Sequence, residues 1–264
     1  MRISIVTLSY NQGAFLREAI DSVLQQGHPD LEYIVVDPGS KDGSRELIES
    51  YGDAISHRVF EPDRGAADGL NKGFARATGE VFAFLNADDF LLPGALRRIH
   101  EFFQSHPQCD LAMGNGYIVD VHGRNLRHVT ASGFTVRRYL HAGSRWLQQS
   151  TFFRRDAFLR SPGFNPENHT CWDGELFVFM VQMGAVIGYI GADLAGFRIH
   201  STSFTGSGRG RVACKEDFKR IFRQIRGRDW RGTDELLRFL YRSEGLLLRG
   251  GLWSKLSAWL KTHA

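Results

Sequence analysis

Val81-Phe82-Ala83-Phe84-Leu85-Asn86-Ala87-Asp88-Asp89-Phe90 is the stretch whose reading decides the fold. The apolar run Val81 to Leu85 predicts a strand buried on both faces. It breaks abruptly at Asn86, Asp88 and Asp89, and Leu91-Leu92-Pro93-Gly94 follows. Two adjacent carboxylates repel each other and lose hydration unless something positive lies beside them. At the C-terminal end of a central strand they would face the crevice where open α/β sheets bind ligands. Hard divalent cations such as Mg²⁺ or Mn²⁺ are held by one or two carboxylates while phosphate oxygens complete the shell. The plainer alternative is a solvated acidic turn that starts a helix.

The neighbouring sequence repeats the pattern of strand, polar turn and helix. Ile3–Leu8 reads as a first, central strand, with turn chemistry at Ser9 to Gly13 and a helix over about Phe15–Gln26. Leu31–Val36 is a second strand ending in the polar loop Asp37 to Ser44, ahead of a helix over about Arg45–Tyr51. A short strand at Val59–Phe60 precedes Glu61 to Gly65 and a helix over about Ala67–Ala77. A helix over about Pro93–Ser105 and a strand near Leu111–Gly114 follow the acidic turn. This alternation predicts a parallel sheet with helices on both faces. Further on, strands are expected at Gln148–Phe153, Val186–Ile190 and Gly196–His200, and helices near Arg155 and over Glu175–Met183. The remainder, from Val212, reads as helical and basic.

Bulk properties exclude several classes. The chain has 264 residues, 42% apolar and 23% charged, which suits a soluble globular protein. No apolar run approaches the ~18 residues of a membrane span. Cys109, Cys171 and Cys214 are odd in number and match no zinc spacing, and the chain opens directly on a strand with no signal peptide. A reduced cytoplasmic protein is expected. The net charge of +4 conceals an asymmetry: residues 209–264 carry +8 and the first 208 residues carry −4. A basic tail is a statement about partners. No recognised nucleic-acid module accompanies it, so nucleic acid is not expected.

Four polar clusters follow apolar strands: Thr7 to Asn11, Asp37 to Asp42, Glu61 to Asp68, and Asn86 to Asp89. In a doubly wound sheet these ends converge on one rim. The turn after the first strand, Ser9-Tyr10-Asn11-Gln12-Gly13, lacks the glycine pattern of a dinucleotide fold, and there is no P-loop. Phosphates would therefore be held by metal and side chains.

Taken together and in order, Ile5 to Asn11, Val35 to Ser44, Glu61 to Gly65 with Asn71-Lys72-Gly73, and Asn86 to Asp89 resemble the family 2 glycosyltransferases. The likeness covers about residues 1–200 and is nearest to the branch that builds bacterial cell-surface polysaccharides. It implies an α/β GT-A fold and inverting transfer of a sugar from a nucleotide-sugar, with UDP the expected nucleotide and Mn²⁺ or Mg²⁺ the expected cofactor. It implies a body at 1–208, divided into a nucleotide-sugar half (about 1–115) and an acceptor half (about 116–208). A basic helical extension would occupy 209–264.

By the same resemblance, Thr7 and Asp37 contact the nucleotide, Arg64 or Lys72 the diphosphate, and Asp68 the donor sugar. Local chemistry offers plainer roles: Thr7 as a strand-end hydroxyl, and Asp68 with Lys72 as an i, i+4 surface pair. Where many relatives carry a second acid this chain has Pro38, and Asp42 is expected to cap its loop or the next helix. Asn86 and Asp88 match the family's Asp-x-Asp motif. Asp88 is the expected metal ligand, with Asp89 close by and His200 either completing the shell or buried structurally. Asp173 matches the general base, with Glu175 the rival and helix capping the alternative role. Gln148 and Gln149 are expected on the acceptor side, where Trp146 and Trp172 either stack on sugar or pack in the core.

Amphipathic stretches at Lys215–Arg226, Asp234–Leu248 and Leu252–Leu260 suit an anionic membrane surface, or else packing on the body or on a second subunit. A lipid-linked glycan acceptor, a peripheral place at the inner face of the membrane and a homo-oligomer all fit that pattern. A non-catalytic nucleotide-sugar-binding scaffold is the competing function. A nucleotidyltransferase is a third, but it would normally carry a glycine-rich phosphate loop that this chain lacks.

Overall fold

Ile3–Leu8 (β1) is apolar on both faces and accordingly pairs on both edges, parallel to Leu31–Val36 (β2) on one side and Val81–Asn86 (β4) on the other. The short strand His57–Val59 (β3) extends the parallel part beyond β2. Three helices cover this half: Gly13–Leu24 (α1), Ser44–Ser50 (α2) and Ala66–Phe74 (α3). Ile3 and Ile5 face α1 and α2, while Val6 faces α3, so successive β1 residues feed two separate cores. The close approach of α3 to the sheet rests on Gly73, where an added Cβ would lie 2.5 Å from a Val6 methyl.

Beyond β4 the chain forms Phe90–Leu91 (β5), Ala95–Ser105 (α4), Leu111–Val119 (β6), Asn125–Val129 (β7) and Val136–Leu140 (α5). A 3-10 turn at Gln148–Ser150 leads into Thr151–Arg154 (β8). Arg155–Arg160 (α6), Trp172–Gln182 (α7), Ile187–Arg198 (β9), Phe204–Ser207 (α8), Arg211–Arg226 (α9) and Gly232–Arg249 (α10) follow. The sheet order is β3-β2-β1-β4-β8-β6-β9-β5, with β7 on β6. The sheet is parallel through β4 and mixed beyond it. The computed structural model describes residues 1–207 and 211–249, and the side chains of all of these except residues 211 and 244–249.

The alternation in the first half appears as expected. The expected division near residue 115 falls inside β6, which continues the same sheet. Aromatic rings bridge the two parts: Phe74 and Phe82 pack on Phe153 and Phe158, and Phe84 on Phe164 and Trp172. The two late strands expected at Val186–Ile190 and Gly196–His200 are one strand, β9. Its middle, Gly191 to Asp193, lacks the apolar signature because it passes a shift of register against β6 and is only partly covered. Gln148–Ser150 is a 3-10 turn rather than strand, and only Thr151 onward pairs.

The basic tail departs most from a free membrane helix. Ile221 and Phe222 of α9 are fully buried against Leu140, with Val136, Tyr139 and Trp230 around them. The apolar face expected at Lys215–Arg226 is thus occupied by the protein's own α5. The third stretch, Leu252–Leu260, lies outside the described residues.

Candidate active site

Leu8 of β1 is level with Val36 of β2 and with Asn86 of β4, so the turns after all three strands open on one rim. Two of these turns are laced together. The backbone N–H of Asn11 donates to Ser40 Oγ (2.8 Å), and Asn11 Oδ1 accepts from the Lys41 N–H (2.9 Å). Asp42 Oδ2 accepts from the Gly13 N–H (2.8 Å), and its Oδ1 accepts from the Ser44 hydroxyl (2.6 Å) and N–H (3.2 Å). Asp42 therefore ties its own loop to the start of α1, as a loop cap. Asn11 sits at φ 52°, a left-handed conformation that Asn tolerates.

Over this rim lies a cavity of about 900 Å³. Ser9, Tyr10, Gly39, Asp63, Asn86 and Asp88 line it from the first half of the chain. Trp146, Gln148, Gln149, His169, Thr170, Trp172, Asp173 and Phe197 line it from the second. Asp37 is fully buried and does not itself line the cavity, whereas its neighbours Pro38 and Gly39 do. Its Oδ1 accepts from the N–H groups of Gly39 (2.9 Å) and Ser40 (2.7 Å), and its buried Oδ2 has no hydrogen-bond partner. Burial holds the Asp63 carboxyl above its ordinary range, with the Gly65 N–H only partly opposing.

The two carboxylates of the acidic turn have opposite fates. Asp88 faces the cavity, and its Oδ2 lies 3.2 Å from His200 Nε2. The other nitrogen of that ring is 2.8 Å from Thr202 Oγ1, and the ring packs on Phe15. Asp89 is 1% exposed and does not line the cavity. It accepts from the Arg198 N–H (2.8 Å), from Gln149 Nε2 (2.7 Å) and from Asn86 Nδ2 (3.2 Å). Burial and the charge of Asp88 push the Asp89 carboxyl well above the usual range. The expectation that Asp89 joins Asp88 in holding metal is corrected: its lone pairs are turned inward and already engaged.

Arg198, at the end of β9, underlies the whole turn. Its Nε donates to the Asp88 carbonyl (2.9 Å), and its two terminal nitrogens reach Val121 O (2.9 Å) and Glu18 Oε2 (2.6 Å). The guanidinium lies between the rings of Phe15 and Phe90. Sequence reading passed over this residue. The available signal was a cation inside an apolar strand segment, Leu194 to Ile199, because a buried guanidinium requires partners.

On the opposite wall, Asp173 is the second residue of α7, whose cap position is Cys171, so the helix-capping alternative does not hold. Its Oδ1 accepts from its neighbour, the Gly174 N–H (2.8 Å). Burial raises its carboxyl to about 6, and among the described residues no positive group offsets that. Trp172 packs on Phe84 and Phe164, and Trp146 on Phe134 and Phe177, each with part of its surface on the cavity. Gln148 Nε2 donates to Phe84 O (2.7 Å), leaving its buried Oε1 without a partner.

Glu175, the rival base, is corrected. It is buried away from the cavity, and both its oxygens are gripped by Arg220 (2.6 and 2.8 Å). Burial alone would raise its carboxyl, but Arg220, Asn168 and Asn165 outweigh this and hold it below the usual range. A carboxylate so engaged is a poor proton acceptor.

Five residues expected on the donor do not line the cavity: Asp37, described above, and Thr7, Asp68, Arg64 and Lys72. Thr7 is fully buried, its hydroxyl 2.9 Å from Tyr33 Oη, because odd-numbered β1 side chains face the α1 side. Asp68 is held by Lys72 Nζ at 3.0 Å and by the Arg64 N–H at 3.1 Å. Arg64 is largely exposed, and Lys72 also reaches Pro62 O. These three form the surface cluster that their spacing allowed, and Asp63 stands at the cavity in their place.

The model for glycosyl transferase family 2 matches residues 4–165. The chain belongs to glycosyl transferase family 2. Its relatives include an uncharacterized glycosyltransferase of Nostoc, 32% identical over 77% of this chain and 66% of that protein. Another is TuaG of Bacillus subtilis, whose name assigns it to teichuronic acid biosynthesis, 38% identical over 38% of this chain and 41% of TuaG. The chain thus spans about two-fifths to two-thirds of the length of these relatives. Among solved structures, S. aureus TarS 1-349 in complex with UDP-GlcNAc superposes with a TM-score of 0.69 at 19% identity, over 93% of this chain and 72% of that one. The mannosyltransferase PcManGT from Pyrobaculum calidifontis, in complex with GDP-Man and Mn²⁺, gives 0.63 at 16% identity, over 100% and 79%. At these identities the likeness establishes the α/β GT-A fold.

In this family 2 chain the donor set at the rim can be tested against a divalent cation. Asp88 supplies a carboxylate oxygen and His200 an imidazole nitrogen whose other ring atom is anchored, a pairing that suits Mn²⁺. Among the described residues no cluster of three His, Cys, Asp or Glu side chains is suited to a metal. Diphosphate oxygens and water would complete the shell.

Proposed function

We propose that this glycosyltransferase moves a sugar, with inversion, from a UDP-sugar to a hydroxyl of a glycan or lipid-linked glycan. One observation carries the reading: a single cavity is lined both by Asp88, in contact with His200, and by Asp173, a carboxylate with no positive partner among the described residues. Asp37 Oδ2 and Gln148 Oε1 are buried acceptors awaiting donors, which a uracil N–H and a sugar hydroxyl would supply. Asp88 and His200 would hold Mn²⁺ or Mg²⁺, which when bound offsets the charge that builds on a departing diphosphate.

The chain's own part in the reaction follows from this. Asp173 takes the proton of the acceptor hydroxyl, and that oxygen attacks the anomeric carbon as the bond from that carbon to the diphosphate oxygen breaks. The bonding pair leaves with the diphosphate, and no covalent glycosyl-enzyme forms. Trp146 and Trp172 offer apolar faces to the acceptor sugar. Of the C-terminal helices, α10 is the one that fits an anionic membrane surface: Leu236, Phe239 and Leu240 are exposed on it.

The deciding experiment is calorimetric titration of UDP, GDP and dTDP, with and without Mn²⁺, into wild type and Asp88→Ala. Binding of UDP that requires Mn²⁺ and is lost in Asp88→Ala supports the donor site. Absence of binding by all three nucleotides overturns it in favour of a scaffold.

A further inference from the structure

Among the described residues no side chain bonds to Asp173; its carboxylate is held by the Gly174 N–H, so its direction depends on the backbone of residues 168–175. That segment is held by a helix more than forty residues further along the chain. Arg220 of α9 grips Glu175 through two parallel bonds (2.6 and 2.8 Å). Glu175 also accepts from Asn168 Nδ2 (2.6 Å), whose Oδ1 in turn accepts from the N–H groups of Thr170 and Cys171 (3.0 Å each). One helical turn before Arg220, Asp217 Oδ2 accepts from the His169 N–H (3.1 Å) and the Thr170 hydroxyl (2.8 Å). His169 and Thr170 themselves line the cavity.

The helix geometry makes this grip directional. Residues two apart on a helix point ~200° apart around its axis. With Glu175 pulled inward to Arg220, Asp173 is turned to the other side, onto the cavity. Fork-to-fork pairing fixes rotation as well as distance, which a lysine would not do. A second line of contact acts on the same turn. Tyr139 lies so close to Gly174 that a Cβ there would fall 2.3 Å from its hydroxyl, and Phe218 of α9 packs behind Tyr139. Ile221 and Phe222 anchor α9 to the body independently of these polar contacts.

We propose that Arg220 and Asp217 are positioning residues for the sugar transfer, holding the 168–175 segment so that Asp173 faces the acceptor hydroxyl. A buried ion pair of this kind adds little net stability relative to an apolar pair of similar size, so its use here is orientation. The proposal rests on the reading of Asp173 as base. The basic extension is then a brace of the active site, whatever its further partners.

The test needs neither donor nor acceptor. In full-length protein the Asp173 side-chain carboxyl carbon is followed by ¹³C NMR against pH, where wild type is expected to titrate near 6. The double variant Glu175→Met with Arg220→Met keeps the volume and removes both charges. It is expected to stay folded, and the Asp173 titration is expected to fall by about one unit as the loosened turn admits water. An Asp173 titration unchanged in a folded double variant overturns the proposal. If the double variant does not fold, Asp217→Asn and Arg220→Lys, which leave α9 packed, are decided on the same signal. A shift in either supports the proposal, and no shift in both overturns it. The base assignment is judged separately by donor turnover in Asp173→Asn. Wild-type turnover there removes that assignment without bearing on whether α9 sets the environment of Asp173.

Discussion

At the scale of single residues, the competence of each carboxylate is decided by its partners rather than by its motif. Asp173 is raised by burial to about 6 and has no positive group beside it among the described residues. In the folded chain it therefore binds its proton more tightly than in the unfolded chain. The stability this contributes is greatest below the ordinary Asp value, falls as pH rises to about 6, and is absent above. Asp173→Asn lacks this titration. We expect it to be more stable than wild type at pH 7 by roughly 1–3 kcal/mol, a difference that closes below about pH 4. Thermal unfolding across that pH range checks it. The same change should lower kcat by about 10²–10⁴. In wild type kcat should rise with pH to a plateau above about 6, measured as a pH–rate profile.

Gly174 gives a second residue-scale prediction. Gly174→Ala sets a methyl 2.3 Å from the Tyr139 hydroxyl. Either Tyr139 or the turn bearing Asp173 must shift, with a loss of about 1–3 kcal/mol in chemical denaturation.

At the scale of elements, β9 and α9 act on the site from outside it. Arg198→Met at the end of β9 would strand the Asp88 and Val121 carbonyls while keeping the apolar stem between Phe15 and Phe90. A loss of about 2–4 kcal/mol is expected in denaturant titration, together with weaker Mn²⁺-dependent UDP binding. Phe222→Ala on α9 opens a cavity against Leu140 and Trp230. It should cost about 3–5 kcal/mol by the same measurement. In the sequence β9 was visible as two short strands and α9 as an amphipathic helix. Their roles were not, because an apolar stripe on a basic helix looks the same whether it meets lipid or α5.

At the scale of the whole molecule, burial of the α9 stripe leaves α10 to present apolar surface. Leu236, Phe239 and Leu240 are exposed together at helical spacing. No helix among the described residues is long and apolar enough to cross a membrane. Replacing these three by Ser should reduce co-sedimentation with phosphatidylglycerol vesicles at low salt and leave the thermal unfolding midpoint in place. A wild type that does not sediment with such vesicles removes the surface reading.

Asp173 was expected at the site through the family resemblance, and the two tryptophans were open between sugar and core; the sequence by itself determined the parallel half-sheet, the convergence of strand-end turns on one rim, and the place of Asp88 there. These follow from short-range signals: apolar runs, abrupt polar breaks and glycine-bearing turns, which fix where strands end and therefore where ligands gather. Only the tertiary structure decided which charged groups stand free in that cavity and which are consumed within the protein. Asp89 meets the backbone of Arg198 across 109 positions, and Glu175 meets Arg220 across 45. Asp68 was claimed by Lys72 on its own helix and by Arg64 just before that helix. Whether a carboxylate can hold a metal, take a proton or only satisfy a buried cation depends on desolvation and on partners brought together by folding, and local spacing carries no record of either.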